Sequence, residues 1–451
     1  MKSSLLSALL LFAFLLSDCA AQQWQAGSAK ANITPKQTMW MSGYGGRNKP
    51  AEGTLHELWA KVLVLKDPQG TPAIFVSLDL VGVSRDISVP VCDAIQKAHK
   101  VNRGQIALFT SHTHTGPVVG SNLSAMYFLD ETQQKLVDDY AAHLIQVIPN
   151  TVAEAFRNLK PAQVSYGIGS PGFAVNRRNN READVPKLRE QGQLQGPVDH
   201  AAPVIAVRDQ GGKLQTVVFG YACHATVLSF YQWSGDWPGF AQIEIEKRHP
   251  GVTALFMAGC GADQNPLPRR TVELAAGYGT QMADAVDKVL SGEMTGLQKG
   301  LRSAWTEIPL ALAELPSKES IQKDSESSNK FIAGRAKQLL GRIATDGQLS
   351  QTYPYPVQTW NVGGLRLVIL GGEVVVDYSL RLKNEFPETP LFVSGYSNDV
   401  MAYIPSVRVL KEGGYEGASS MIYYGQPTVW SERVEGHIIE TVHQQMKQVA
   451  P

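Results

Sequence analysis

Ser111-His112-Thr113-His114-Thr115-Gly116-Pro117 places two histidines one residue apart, just beyond the short apolar run Gln105–Thr110. Alternate residues on extended chain point the same way, so His112 and His114 can face one centre. Catalytic zinc takes about three nitrogen or oxygen ligands and keeps one position open for water. Paired imidazoles would be a large part of such a set, and ordinary hydrogen bonding by loop histidines is the competing reading. Three other stretches share the setting. His224 lies in Tyr221-Ala222-Cys223-His224-Ala225-Thr226 at the end of a second apolar run, and Ser234-Gly235-Asp236 follows closely. Gly259-Cys260-Gly261-Ala262-Asp263-Gln264-Asn265-Pro266 follows a third run, Thr253–Ala258, with two glycines that let backbone approach a ligand. Each alone reads as a satisfied core histidine or a tight turn. Together these polar exits from apolar strands point to one site, because α/β proteins place their chemistry at such ends.

Other motifs fall away on inspection. Gly167-Ile168-Gly169-Ser170-Pro171-Gly172 has the letters of a dinucleotide loop, but a proline and Phe173-Ala174-Val175 predict a turn into extended chain. A pyrophosphate would need a helix N-terminus there. His56-Glu57 lacks the second histidine of a zinc-protease helix, Ala60 standing in its place. No G-x-S-x-G elbow occurs.

The elements that must position these residues alternate between strand-like and helix-like stretches after residue 58, which predicts an α/β protein. Leu58–Leu65 and Pro72–Val83 are β-branched and apolar, joined by the turn residues Asp67-Pro68-Gln69-Gly70. Val89–His99 reads as a helix, and Glu131–Leu159 carries apolar residues at helical spacing. Gln163–Tyr166, Val204–Val207, Thr216–Cys223 and Thr253–Ala258 read as strands. Helices are expected at 271–290, 318–341, 374–386 and 428–447, with polar 317–330 a solvated helix or linker. The mixture of hairpin and strand–helix units predicts mixed β-sheets packed with helices rather than a simple doubly wound fold.

The chain has 451 residues, 43% hydrophobic and 18% charged, which suits a globular protein with a large core. That length allows two to four domains, or one large unit. With 41 basic and 41 acidic residues the net charge is zero, which argues against a nucleic-acid partner. Met1-Lys2, the apolar run Leu5 to Leu16 and the small residues before Gln22 form a secretory signal, with cleavage expected after Ala21. The run is shorter than the ~20 residues that a membrane span needs. Asp18 beside Cys19 disfavours lipid anchoring. The mature chain 22–451 is expected to be exported, to periplasm or extracellular space, and to keep Cys92, Cys223 and Cys260. Three cysteines cannot form a complete disulfide framework, and Cys223 and Cys260 are expected as buried thiols.

From about Gly27 to Thr428 the chain resembles the N-terminal catalytic domain of the neutral/alkaline (non-lysosomal) ceramidases, zinc hydrolases that cleave the amide bond of N-acylsphingosines. Thr110–Pro117 and Tyr221–Leu228 resemble the family's two histidine segments, which implies His112 and His224 as zinc ligands. Gly371-Gly372-Glu373, after Leu365–Leu370, resembles its G-E motif and implies Glu373 as a third ligand. Tyr403, twelve residues before Tyr415 in Tyr415-Glu416-Gly417-Ala418-Ser419, is similar to its tyrosine ligand. Asn176-Arg177 resembles the pair whose arginine faces the reacting carbonyl. Two positions depart. Asp263 stands where the family has a catalytic serine, and Arg178 follows Arg177 where a serine is usual. The family's full-length members carry a further C-terminal β-sandwich, for which a single catalytic unit of 22–451 leaves no room.

The resemblance implies an exported enzyme with zinc on His112, His224, Glu373 and Tyr403, where the metal acidifies water and polarises a carbonyl. His114 could accept the water's proton or hydrogen-bond the oxyanion. Arg177 could stabilise that oxyanion or anchor a carboxylate, and Tyr415 joins the catalytic candidates. Asp263 could act as a base, bind a substrate hydroxyl or hold its own loop. The expected partner is a small-molecule or lipid substrate, with peripheral membrane contact compatible with it. Cleavage of an ester or a carbohydrate-linked bond on the same scaffold is the alternative, and a metal-containing binding protein without activity the third reading.

Overall fold

The computed structural model describes residues 23–298 and 300–450. The signal peptide expected over 1–21, with Cys19, lies outside the described residues.

Three sheets enclose one apolar centre. The first runs, in spatial order, Ile106–Thr110, Pro72–Leu78, Trp59–Lys66, Gln25–Asn32 and Lys160–Pro161. The second runs Thr253–Ala258, Leu214–Tyr221, Ala202–Arg208, Gln163–Gly169 and Thr295–Gly296. The third runs Leu301–Ala311, Thr352–Val362, Leu365–Leu370 and Leu391–Ser394. Alternate residues from all three meet in between, with Leu63, Phe75, Phe109, Val218, Leu255, Trp360 and Leu367 in one buried cluster. Such strands bury both faces, which is why their sequences read as near-continuous apolar runs instead of alternating ones. Helices cover the outer faces: Arg85–His99 and Glu131–Arg157 on the first sheet, Asp236–Arg248 and Val272–Leu290 on the second, Val434–Gln448 on the third. The fold class read from the sequence, mixed sheets packed with helices in one unit, is the one found.

Each sheet contains one parallel pair: Pro72–Leu78 with Ile106–Thr110, Leu214–Tyr221 with Thr253–Ala258, and Leu365–Leu370 with Leu391–Ser394. Parallel neighbours send their C-terminal ends to the same edge, so the loops that leave them gather.

Local boundaries shift where capping or proline chemistry intervenes. The helix expected at 318–341 is two, Lys318–Asp324 and Lys330–Asp346, because the Asn329 side chain accepts from Phe331 N (3.0 Å) and starts a new helix. The antiparallel pairing of Leu301–Ala311 with Thr352–Val362, across the two helices between them, was hidden by Pro309, Pro354 and Pro356. Those prolines are tolerated because the third strand pairs only with Val357–Val362, leaving the proline-bearing end at an edge. The 374–386 helix begins at Asp377, and Glu373–Val374 is instead a short strand. The dinucleotide-like glycines end the strand Gln163–Gly169 with no helix following. Cys92, Cys223 and Cys260 are free and buried, as thiols.

Candidate metal centre

The strand Ile106–Thr110 is buried throughout and delivers His112 to the gathering edge. His112 holds φ +59°, a left-handed conformation that costs a non-glycine residue about 1–3 kcal/mol and recurs at functional sites. This turn swings the imidazole inward, where Nδ1 donates to Val81 O (2.6 Å) and Nε2 faces the centre. His224 arrives from Leu214–Tyr221 and is fixed in the same manner, Nδ1 donating to Gly261 O (2.7 Å). An Nδ1 anchored on a carbonyl fixes the tautomer and presents the Nε2 lone pair, the arrangement of a metal-ligating histidine. The Ser234-Gly235-Asp236 segment supports this from behind. Asp236 accepts from Val227 N (3.2 Å), Leu228 N (2.8 Å) and Trp237 N (2.6 Å), and Trp237 Nε1 donates to His224 O (2.8 Å).

Glu373 and Tyr403 come from two short strands paired in parallel, and they are register partners. Glu373 Oε2 lies 3.2 Å from His112 Nε2 and 3.2 Å from His224 Nε2. Tyr403 Oη lies 3.3 Å from His224 Nε2 and accepts from Arg177 Nη2 (3.1 Å). His114, half-buried, sets its Nε2 3.0 Å from His112 Nε2, and the nitrogens of His112, His114 and His224 lie within 4.8 Å of one another. The four ligand positions inferred from the sequence therefore converge, with His114 beside them.

The electrostatics favour a cation in their midst. Burial and the Arg177 charge bring His224 down to about 4, and burial with the facing imidazoles takes His114 well below its ordinary value. Burial opposes ionisation of Glu373, but the imidazoles facing it outweigh burial and hold its carboxyl well below the usual range. At pH 7 this leaves His114 and His224 neutral beside an ionised Glu373. His112, His224 and Glu373 are each at most 3% exposed. Glu373 Oε2 receives no hydrogen bond from the protein. Such a donor set of imidazole nitrogens and carboxylate and phenol oxygens suits zinc.

Around the centre the other candidates divide. Arg177 reaches in from the strand Ala174–Asn176, its Nε on Glu416 Oε1 (2.7 Å) and Nη1 on Asn265 Oδ1 (3.3 Å). Tyr415 packs its ring 5.2 Å from that of Tyr403 and is 39% exposed. Asp263 is engaged at both oxygens: Oδ1 accepts from Val376 N (2.9 Å), Oδ2 from Asn176 Nδ2 (3.1 Å), and burial raises its pKa to about 6. The glycines beside it serve packing rather than a ligand. A Cβ on Gly261 would sit 2.6 Å from Cys223 N, so the two strand exits press backbone on backbone. Three contributors escaped sequence reading. Tyr424 donates its hydroxyl to Glu373 Oε1, Tyr396 lies with its ring 4.4 Å from that of His112, and Glu416 anchors Arg177. Glu416 stood inside a segment already singled out; the two tyrosines carried no local signal.

The solved structures similar to this chain include the crystal structure of neutral ceramidase from Pseudomonas aeruginosa. It matches with TM-score 0.71 over 95% of this chain and 74% of that one. At 17% identity that likeness speaks for the fold. A curated neutral ceramidase from Oryza sativa subsp. japonica is 25% identical over 58% of this chain and 32% of its own length. Neutral ceramidase A of Dictyostelium discoideum is 24% identical over 53% of this chain and 34% of its own length. The chain thus spans about a third of the length of these curated relatives. Residues 24–341, more than half of the chain, match the family described as neutral/alkaline non-lysosomal ceramidase, N-terminal, and the chain belongs to that family.

Proposed function

We propose that this chain is an exported, zinc-dependent hydrolase that cleaves an amide (N-acyl) bond. The observation that carries the proposal is the meeting of Glu373 Oε2 with two tautomer-locked histidines at 3.2 Å, without a proton donor between them. His112, His224, Glu373 and Tyr403 would hold the zinc. When bound, zinc supplies a Lewis acid that polarises a carbonyl and acidifies water.

The protein's own groups supply the rest. His112 and His224 have Nδ1 committed to carbonyls, whereas His114 Nδ1 has no partner. The His114 ring can therefore take a proton on one nitrogen while the other faces the centre, which suits general acid–base work. Arg177 uses three of its five N–H bonds on Glu416, Asn265 and Tyr403, so two remain for the oxygen of a reacting carbonyl. Asp263, with both oxygens engaged, is assigned to positioning: it ties the Arg177 strand to the Glu373 segment. Tyr415 walls the approach to Tyr403. The Met1–Ala21 signal supports export, and no helix among the described residues is long and apolar enough to cross a membrane.

Elemental analysis of purified protein and of His112→Ala, with both assayed on ceramides, other amides, esters and glycosides, tests the reading. Stoichiometric zinc in the wild type and amide cleavage lost in the variant are expected. Zinc-free wild type, or full activity in the variant, overturns it. Cleavage confined to esters or glycosides would move the reaction to another bond on the same scaffold, and zinc without turnover of any class would leave a binding protein.

A further inference from the structure

A cleft of 660 Å³ opens beside the centre, and Arg177 joins the two: it lines the cleft and reaches Tyr403 Oη at 3.1 Å. Ten of the thirteen lining residues are charged or carboxamide side chains, the three others being Leu267, Gly414 and Tyr415. Four arginines face three glutamates there. Every one of those carboxylates is already bridged to an arginine: Glu416 to Arg177 and Arg178, Glu412 to Arg178, Glu182 to Arg269. The groups left over are mostly donors, with Glu182 Oε1 and the Asn179 carboxamide oxygen the acceptors among them. Asn265 is 3% exposed and turns Oδ1 to Arg177, which leaves its Nδ2 without a protein acceptor. Arg269 spends Nε and Nη2 on Glu182 and leaves Nη1 free of a protein hydrogen bond. The exposed Asn179 side chain on the rim makes no protein hydrogen bond.

A polyol or an alkyl chain fits such a wall poorly. Hydroxyls must donate as well as accept and would find few free acceptors beyond Glu182 Oε1 and the Asn179 oxygen, and alkyl groups would strip water from charges without replacing it. An oxyanion only accepts, and donors of this kind give it short, charge-assisted hydrogen bonds. We propose that this cleft seats an oxyanion carried by the substrate, a carboxylate or a phosphate, while the amide lies at the centre. The assignment rests on the hydrolase reading above and narrows its substrates to amides with an anionic end.

The test compares N-octanoylglycine, N-octanoyl-O-phosphoethanolamine and the neutral N-octanoylethanolamine. Two readouts are taken: kcat/KM with the zinc-loaded protein, and calorimetric binding to protein kept metal-free by a chelator. One or both anionic amides should exceed the neutral one about tenfold in each readout, the scale of one charge-assisted hydrogen bond. Which anion gains more separates carboxylate from phosphate. Arg269→Gln should cut that advantage about tenfold and Arg269→Lys should restore part of it. Asn179→Asp, which adds a like charge at an exposed position and removes no hydrogen bond, should cut it as well. Equal values for charged and neutral amides in both readouts, or an advantage untouched by both Arg269→Gln and Asn179→Asp, overturns the proposal. Charge-selective binding without turnover of any amide upholds the cleft and refutes the hydrolase; turnover indifferent to charge does the reverse.

Discussion

Replacing Tyr424 by phenylalanine takes away one oxygen, and with it the protein's hydrogen bond to Glu373 Oε1. Both partners are buried, Tyr424 at 7% and Glu373 at 3% exposure, so water does not readily replace the lost donor. A hydrogen bond to a charged group in such a place contributes about 1.5–3 kcal/mol. The same hydroxyl also orients the carboxylate so that Oε2 points at the two histidines. Losing it should weaken zinc binding about 10–100-fold, the range seen when a group that holds a metal ligand is removed. Zinc titration of metal-free protein against a chromophoric chelator measures the change directly. Tyr423→Phe is the control, because the neighbouring hydroxyl has no hydrogen bond among the described residues. A Tyr424→Phe dissociation constant within twofold of wild type would refute the reasoning, as would an equal loss in Tyr423→Phe.

Three further outcomes are expected. Gly43 has φ +92° and a Cβ there would lie 2.5 Å from the His114 ring, so Gly43→Ala should displace His114 and cut turnover at least about tenfold by disturbing acid–base transfer; zinc content lost together with turnover would make His114 a ligand instead. Asp263→Asn keeps an acceptor for Val376 N but sets a donor against Asn176 Nδ2, so activity should fall about tenfold through looser placement of Arg177; a loss of about 10³ would restore Asp263 as an acid–base group. Burial raises the Asp399 carboxyl, which accepts from Tyr353 Oη (2.8 Å), to about 7, so folding favours its protonated form. Its contribution to stability is complete below the ordinary value of about 4 and is lost as pH rises through about 7. The difference in melting temperature between wild type and Asp399→Asn should therefore change across that window, and a constant difference would contradict the shift.

Part of the proposed centre was legible by a local rule. His112 and His224 lie two and three residues past apolar strands, where polar residues stand out without knowledge of the fold, whereas Glu373 and Tyr403 were reached only through the family resemblance. What surrounds them follows a different rule. Glu416 meets Arg177 across 239 residues of sequence, and Tyr424 meets Glu373 across 51, through contacts that exist only once the sheets have closed. The sheets themselves were read only as a mixture, since buried strands lose the alternation that would tell one face from the other. Prolines then disguised the longest antiparallel pair. Asp263 shows the limit from the other side. Its position in the chain left a base, a hydroxyl-binding group and a loop-holding group open, and its two hydrogen bonds support the last.

The pairing of Glu373 with Tyr403 has a consequence for how such a site can change over generations. Two residues thirty positions apart stand abreast because a single ladder step joins their backbones. The distance between them is therefore independent of the length of chain that connects them. Insertions or deletions within 386–390, between the outer helix and the strand Leu391–Ser394, can reshape the surface while the two side chains keep their separation. A slip of one residue in either short strand would instead turn one of them away from the centre. The loop between that helix and strand is free to vary, and the ladder step is not.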